Sequence, residues 1–205
     1  MFRDRVDAAN QLAERLSGLK QLHPLILAIP RGGVPMGKVL AEELDGELNV
    51  VLVRKIPAPG NPEYAIGAVS EDGAIHVTEN NAQRYGRQYI DRQAEAEQEV
   101  LRRRRESYTQ VRPPIDPAGC VVVVVDDGSA TGATMEVALQ AVRQKGPDRL
   151  IAALGAAPPD AVERLQAVAD EVVCLHVTPH FGAVGRFFRD FSQVSDDEVI
   201  ALLSK

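Results

Sequence analysis

The residues best placed to do chemistry are two adjacent carboxylates, Asp126 and Asp127, followed by a run of small residues, Gly128, Ser129, Ala130, Thr131, Gly132, Ala133 and Thr134. Five valines, Val121 to Val125, precede them, and an amphipathic pattern through Met135, Ala138, Leu139 and Val142 follows. A strand, a tight small-residue turn and a helix N-terminus together form an anion site, because unpaired backbone N–H groups and the helix dipole converge there. The hydroxyls of Ser129, Thr131 and Thr134 add donors. Two carboxylates beside such a cup would repel a bare phosphate. The pattern therefore suits a ligand with a phosphate at one end and sugar hydroxyls or a metal next to it. A second anion layout is Pro30-Arg31-Gly32-Gly33, where Arg31 can fork onto two phosphate oxygens and the glycines admit close backbone approach. A basic pair, Arg54-Lys55, ends a third apolar run.

Positioning these groups calls for a parallel sheet. Val121 to Val125 is apolar on both faces, which predicts a central strand covered by helices on each side. Around it the pattern predicts a helix over 3–19, with Val6, Ala9, Leu12, Ala13, Leu16 and Leu19 on one face, and a strand over Leu25–Ile29. A helix from Pro35 to about Leu44 and a strand over Leu48–Val53 come next. The basic pair then points into the crevice at the carboxyl edge of such sheets. Residues 65–70 and 74–78 flank Glu71-Asp72-Gly73, a hairpin signal, and a helix or helix pair runs from about Asn80 to Tyr108. Beyond the valine strand, the helix to Lys145, the strand 150–154, the helix 158–168 and the strand 171–175 alternate with short connections. Ser195 with Glu198 forms a capping box for a last helix.

The stretch Asp126 to Thr134 resembles the 5-phosphoribosyl-1-pyrophosphate (PRPP) signature of type I phosphoribosyltransferases. PRGGVPMG and VRKIPAPGNPEYAIGAV also fit the uncharacterised bacterial branch of that family, and the likeness runs nearly end to end. The resemblance implies an α/β fold, a doubly wound parallel sheet of the type I phosphoribosyltransferase kind. It would be one domain over 1–205, with a flap and helical insertion at about 56–112 and a C-terminal hood at about 176–205. It further implies that Asp126 and Asp127 bind the ribose hydroxyls. Gly128 and the loop Ser129 to Thr134 would hold the 5′-phosphate, while Arg31 with Gly32 and Gly33 forms the pyrophosphate turn and Lys55 contacts the leaving group. Mg²⁺ is the implied cofactor. The acceptor would be a small molecule, a nitrogenous base stacked on Phe181, and relatives are commonly dimers. Members acting on 6-oxopurines carry an Asp where this chain has Ala130, so hypoxanthine or guanine salvage is disfavoured. Glu63, at the flap base beside Tyr64, is the first residue to test as a general base.

Two other readings share these residues. A non-catalytic regulator would keep PRPP or nucleotide binding without turnover. A P-loop hydrolase would use Gly32, Gly37 and Lys38, but Val39 stands where a Mg²⁺-binding hydroxyl belongs and Pro35 removes an N–H from the cradle.

Composition narrows the rest. The formal net charge of −6 over 205 residues argues against a nucleic-acid surface, and the Glu residues one turn from Arg102 to Arg105 make that run a solvated helix face. The two cysteines, Cys120 and Cys174, have no metal-type spacing and read as packing residues in a reduced compartment. No apolar run approaches the roughly 20 residues that span a bilayer, so a cytoplasmic protein that binds neither membrane nor nucleic acid is expected.

Overall fold

Burial on both faces of the valine run sets the architecture. Val122 and Val124 pack on one side of the sheet with Met135, Ala138 and Leu139, while Val123 and Val125 pack on the other with Leu12, Met36 and Leu40; all four valines are fully buried. A computed structural model of the chain describes residues 1–204, the side chains of Pro62 and Glu63 excepted.

The elements follow as α1 (Arg5–Arg15), β1 (Leu25–Ala28), α2 (Gly33–Glu43), β2 (Glu47–Val50), β3 (Val53–Ala58), β4 (Asn61–Ser70), β5 (Ile75–Val77) and α3 (Glu79–Tyr85). Then come α4 (Arg87–Thr109), β6 (Val121–Gly128), α5 (Ala133–Arg143), β7 (Arg149–Ala157), α6 (Pro159–Gln166), β8 (Glu171–Val177) and α7 (Asp196–Leu203). Five strands form one parallel sheet in the order β2-β1-β6-β7-β8. Helices α1, α2, α4 and α7 contribute to the core on one face, and α5 and α6 to the core on the other. That is the doubly wound arrangement expected. Chain order reverses between β1 and β6, the point at which such sheets open a crevice beyond their carboxyl ends.

The second sheet is where sequence and structure part. The apolar run 48–53 is not one strand. Its first half ends the parallel sheet as β2, and its last residue opens β3, which turns away to pair antiparallel with β4. Arg54 and Lys55 therefore lie on the antiparallel sheet β3-β4-β5, not at the end of a core strand. The expected hairpin around Glu71–Gly73 is present as β4–β5. A longer one, β3–β4, precedes it with its tip at Pro59-Gly60, where Gly60 has φ +72 as the third position of a type II turn requires. Pro57 sits where the β3–β4 register shifts, so its missing N–H breaks no regular ladder.

Smaller departures have simple causes. The first helix stops at Arg15 and continues as a 3-10 turn over Ser17–Leu22. Val6 is 48% exposed. Arg5 takes the place on the stripe that also carries Ala8, Ala9, Leu12 and Ala13. The long helical region divides at Gly86, whose φ of +77 no helix interior allows. The Ser195–Glu198 capping box is present in both directions, at 3.1 and 2.6 Å. No helix among the described residues is long and apolar enough to cross a membrane.

Candidate active site

The turns after β1 and β6 meet because those strands are neighbours in register, Ala28 opposite Val125. Pro30, Arg31 and Gly32 follow one strand end, and Asp126 and Asp127 complete the other. The Pro30–Arg31 peptide is cis. A Cβ on Gly32 would stand 2.2 Å from Asp127 Oδ2, and one on Gly33 would stand 2.5 Å from the Val125 carbonyl oxygen. The glycines thus let the basic turn lie directly on the acidic one.

Between them opens a cleft of about 310 Å³ lined by Arg5, Arg31, Gly32, Asp126, Asp127, Phe191, Gln193 and Val194. The fold has brought together Arg31, Gly32 and both acids. Lys55 lies on β3, outside this lining, yet close enough that its charge favours ionised Asp126. Arg54 is turned to Glu97 on α4 in an ion pair and serves the fold.

The cleft contains a residue that the sequence pattern did not single out. Arg5, from the first turn of α1, donates from Nε to Asp127 Oδ2 at 2.8 Å and from Nη1 to the Ser192 carbonyl at 2.7 Å. Its guanidinium carbon lies 4.0 Å over the centre of the Phe191 ring. The side chains of Arg5 and Asp127 are only 12% and 11% exposed. The helix start carrying Arg5 is itself fastened to the C-terminal segment: Phe2 N–H donates to the Phe187 carbonyl at 2.7 Å and Arg189 N–H to the Phe2 carbonyl at 3.0 Å.

Electrostatics set the acids apart from ordinary surface carboxylates. Burial pushes Asp126 well above the usual carboxylate range and the charge of Asp127 adds to this, while the Asp127 N–H that Asp126 accepts, Arg5 and Lys55 all pull it back. Burial also raises Asp127, against the restraint of Arg5. Arg31 approaches Asp196 at 3.8 Å. Asp196 in turn accepts from Tyr108 at 2.8 Å, which ties the basic turn to α7 and α4.

The small-residue loop satisfies part of its own backbone. Ser129 Oγ accepts from Gly132 N–H at 2.9 Å, and Thr131 Oγ1 accepts from Ala133 N–H at 3.4 Å. Those two hydroxyls shape the loop through their lone pairs, and each keeps its O–H to donate. Gly132, with φ +78, turns the chain into α5. Phe181 is buried, 5% exposed, with its ring centre 5.0 Å from that of Phe187, and it does not line the cleft. The aromatic that does is Phe191. The Glu63 side chain falls outside the described residues. The P-loop alternative fails on geometry: residues 33–43 are already helix, leaving no phosphate-cradling loop before Lys38, which pairs with Glu42 on the same helix at 3.2 Å.

Among the described residues no cluster of three or more His, Cys, Asp or Glu side chains could enclose a metal. Two carboxylates alone, Asp126 and Asp127, fit a hard, largely hydrated cation that shares oxygens with a phosphate ligand.

Comparison with known proteins points one way. A family model described as "Phosphoribosyl transferase domain" matches residues 3–191. Two Mycobacterium tuberculosis proteins, both provisionally named phosphoribosyl transferases, are each 42% identical to this chain over 210 residues. The match covers 100% of this chain and 47% of theirs, so the chain spans about half the length of these curated relatives. The crystal structure of the TT1426 protein from Thermus thermophilus is 49% identical and superposes with a TM-score of 0.86, over 100% of this chain and 98% of that one.

Proposed function

Because this chain belongs to the phosphoribosyl transferase family, we propose that it transfers the phosphoribosyl group of PRPP to a small nitrogenous acceptor and releases pyrophosphate. The observation that carries this reading is the shared cleft: the acid pair at the end of β6 faces Arg31 and Gly32 at the end of β1.

In the proposed reaction the acceptor nitrogen forms a bond to C1′ as the C1′–oxygen bond to pyrophosphate breaks. The bonding electrons leave with the pyrophosphate, and the ribose passes through a cationic transition state. Asp126 and Asp127 hold the ribose hydroxyls and face that positive charge. The loop Gly128 to Thr134 takes the 5′-phosphate at the start of α5, where the helix dipole favours an anion. Arg31 and Lys55 stabilise the charge gathering on the leaving group. One such preorganised contact is typically worth about 3 kcal/mol of barrier. Mg²⁺, held by Asp126, Asp127 and substrate oxygens, would neutralise part of the pyrophosphate charge. Phe191 and Gln193 offer a wall for the acceptor beside the ribose. A cytoplasmic homodimer serving nucleotide salvage is the setting that we propose for this activity.

The second reading, a sensor that binds PRPP without turnover, would keep the acids and loop but has less need of Arg31 and Lys55. Incubation with labelled PRPP, Mg²⁺ and a panel of bases separates the two. Pyrophosphate released only with a particular base supports the transferase. Saturable binding with no pyrophosphate from any base supports the sensor. Unimpaired turnover in both Asp127→Asn and Arg31→Ala would remove the site assignment.

A further inference from the structure

The contacts of Arg5 go beyond what helix α1 needs. The helix already has its N-cap, since Asp4 accepts from Asp7 N–H at 2.8 Å, and its buried stripe of Ala8, Ala9, Leu12 and Ala13 packs without help from a cation. Arg5 instead reaches out of the helix to make three contacts on two other parts of the chain: the acid at the end of β6, and the Ser192 carbonyl and Phe191 ring of the C-terminal segment. A lysine could supply the charge. Only a planar guanidinium can donate in two directions while lying flat on an aromatic face.

We propose that Arg5 is a positioning residue of the active site, fixing the Asp127 carboxylate toward the ribose and locking it to the Phe191–Ser192 wall where the acceptor enters. This inference rests on the transferase reading given above. Arg5 takes one carboxylate oxygen, Oδ2, and the Gly32 backbone closes against that same oxygen. The other oxygen, Oδ1, is left for a hydroxyl donor. Phe191 also stacks on Phe188, with ring centres 5.1 Å apart, and Phe188 packs on Phe2 at 5.2 Å, so the wall is packed onto the chain start that carries Arg5.

The test uses the full chain, Mg²⁺ and PRPP, with calorimetric affinities for wild type, Arg5→Gln and Arg5→Lys. Arg5→Gln is expected to weaken binding about tenfold, the order of one charge-assisted contact, and Arg5→Lys to recover part of the loss. Unchanged or tighter binding by Arg5→Gln, or a loss in Arg5→Lys as full as in Arg5→Gln, overturns the proposal. A second measurement does not depend on PRPP. In urea unfolding of the ligand-free chain, Arg5→Gln and Asp127→Ala should be non-additive, because each removes the same contact, and additive losses also refute the role. Should wild type itself fail to bind PRPP while the two substitutions prove non-additive, the substrate assignment falls and the anchoring of Asp127 by Arg5 stands.

Discussion

Gly32→Ala sets two physical effects of opposite sign against each other. Gly32 caps α2 with φ −59 and ψ −34, a conformation that alanine adopts freely. On backbone grounds the substitution should therefore stabilise by about 0.4–1 kcal/mol, since alanine gives up less chain entropy on folding. The packing says otherwise. The new Cβ would sit 2.2 Å from Asp127 Oδ2, against an ordinary carbon–oxygen contact of roughly 3.3 Å, so one side must retreat by about 1 Å. The carboxylate cannot move that far and keep its 2.8 Å bond from Arg5 Nε. Overpacking costs about 1–3 kcal/mol, and loss of a charge-assisted bond costs about 1.5–3 more. The net expectation is a loss of roughly 2–5 kcal/mol, which for a chain of this length lowers Tm by about 5–15 °C. Urea unfolding followed by circular dichroism measures it. Gly18→Ala is the control, because a Cβ there meets nothing within 4 Å. In an Asp127→Ala background most of the Gly32→Ala penalty should vanish, since the clashing carboxylate is gone. Gly32→Ala as stable as wild type would refute the reasoning, as would an equal penalty with and without the Asp127 side chain.

Two further outcomes follow from the charges in the cleft. Burial and the Asp127 charge hold the Asp126 carboxyl well above its usual range, so it gives up its proton at a higher pH than an ordinary carboxyl does. Ribose hydroxyls and Mg²⁺ both favour the carboxylate, so binding of Mg²⁺ and PRPP should release up to about one proton and tighten as pH rises through the shifted value. Calorimetry in two buffers of different protonation enthalpy reads the number directly, and proton uptake would contradict it. Lys55→Ala removes an exposed cation and should leave stability within about 0.5 kcal/mol of wild type. Its loss should nevertheless weaken Mg²⁺–PRPP binding about tenfold, the order expected for one charge-assisted contact; unchanged affinity would take Lys55 out of the site.

Much of this fold could be read along the chain because its strands are short-range signals. Val121 to Val125 announces a strand buried on both faces whatever its neighbours are, and the turns after β1 and β6 carry their glycines and charges within a few residues of the strand ends. Lys55 was harder to place because 48–53 is apolar throughout except for Asn49. Hydrophobicity alone does not mark where a chain leaves one sheet and enters another. Pro59-Gly60 forms the tip of the β3–β4 hairpin, but the prolines around it mask the strands, which tolerate Pro57 only because the register shifts there. Arg5 lies 122 positions from the carboxylate it holds, beyond the reach of any local pattern. One signal was available. Arg5 falls three and four positions before Ala8 and Ala9 on the buried stripe of α1, and a charge on such a stripe needs a buried partner.

The same topology explains why acids and cations can share this cleft without collapsing into ion pairs that fill it. Neighbouring strands of a parallel sheet lie about 4.8 Å apart, so the turns after β1 and β6 start side by side and touch at Gly32 and Asp127. Arg31 follows Ala28 by three residues, and Asp126 follows its register partner Val125 by one, so the cation and the acids line one cleft from adjacent strand ends. Arg31 is held back by Asp196 at 3.8 Å, and Asp127 is held back by Arg5 at 2.8 Å. Each of these charges is thereby restrained by a partner from another part of the chain. A phosphorylated sugar laid between them would meet hydroxyl acceptors on one strand end and a leaving-group cation on the next. Reversing β1 and β6 in the sheet, or lengthening either turn, would break that spacing even with every side chain kept.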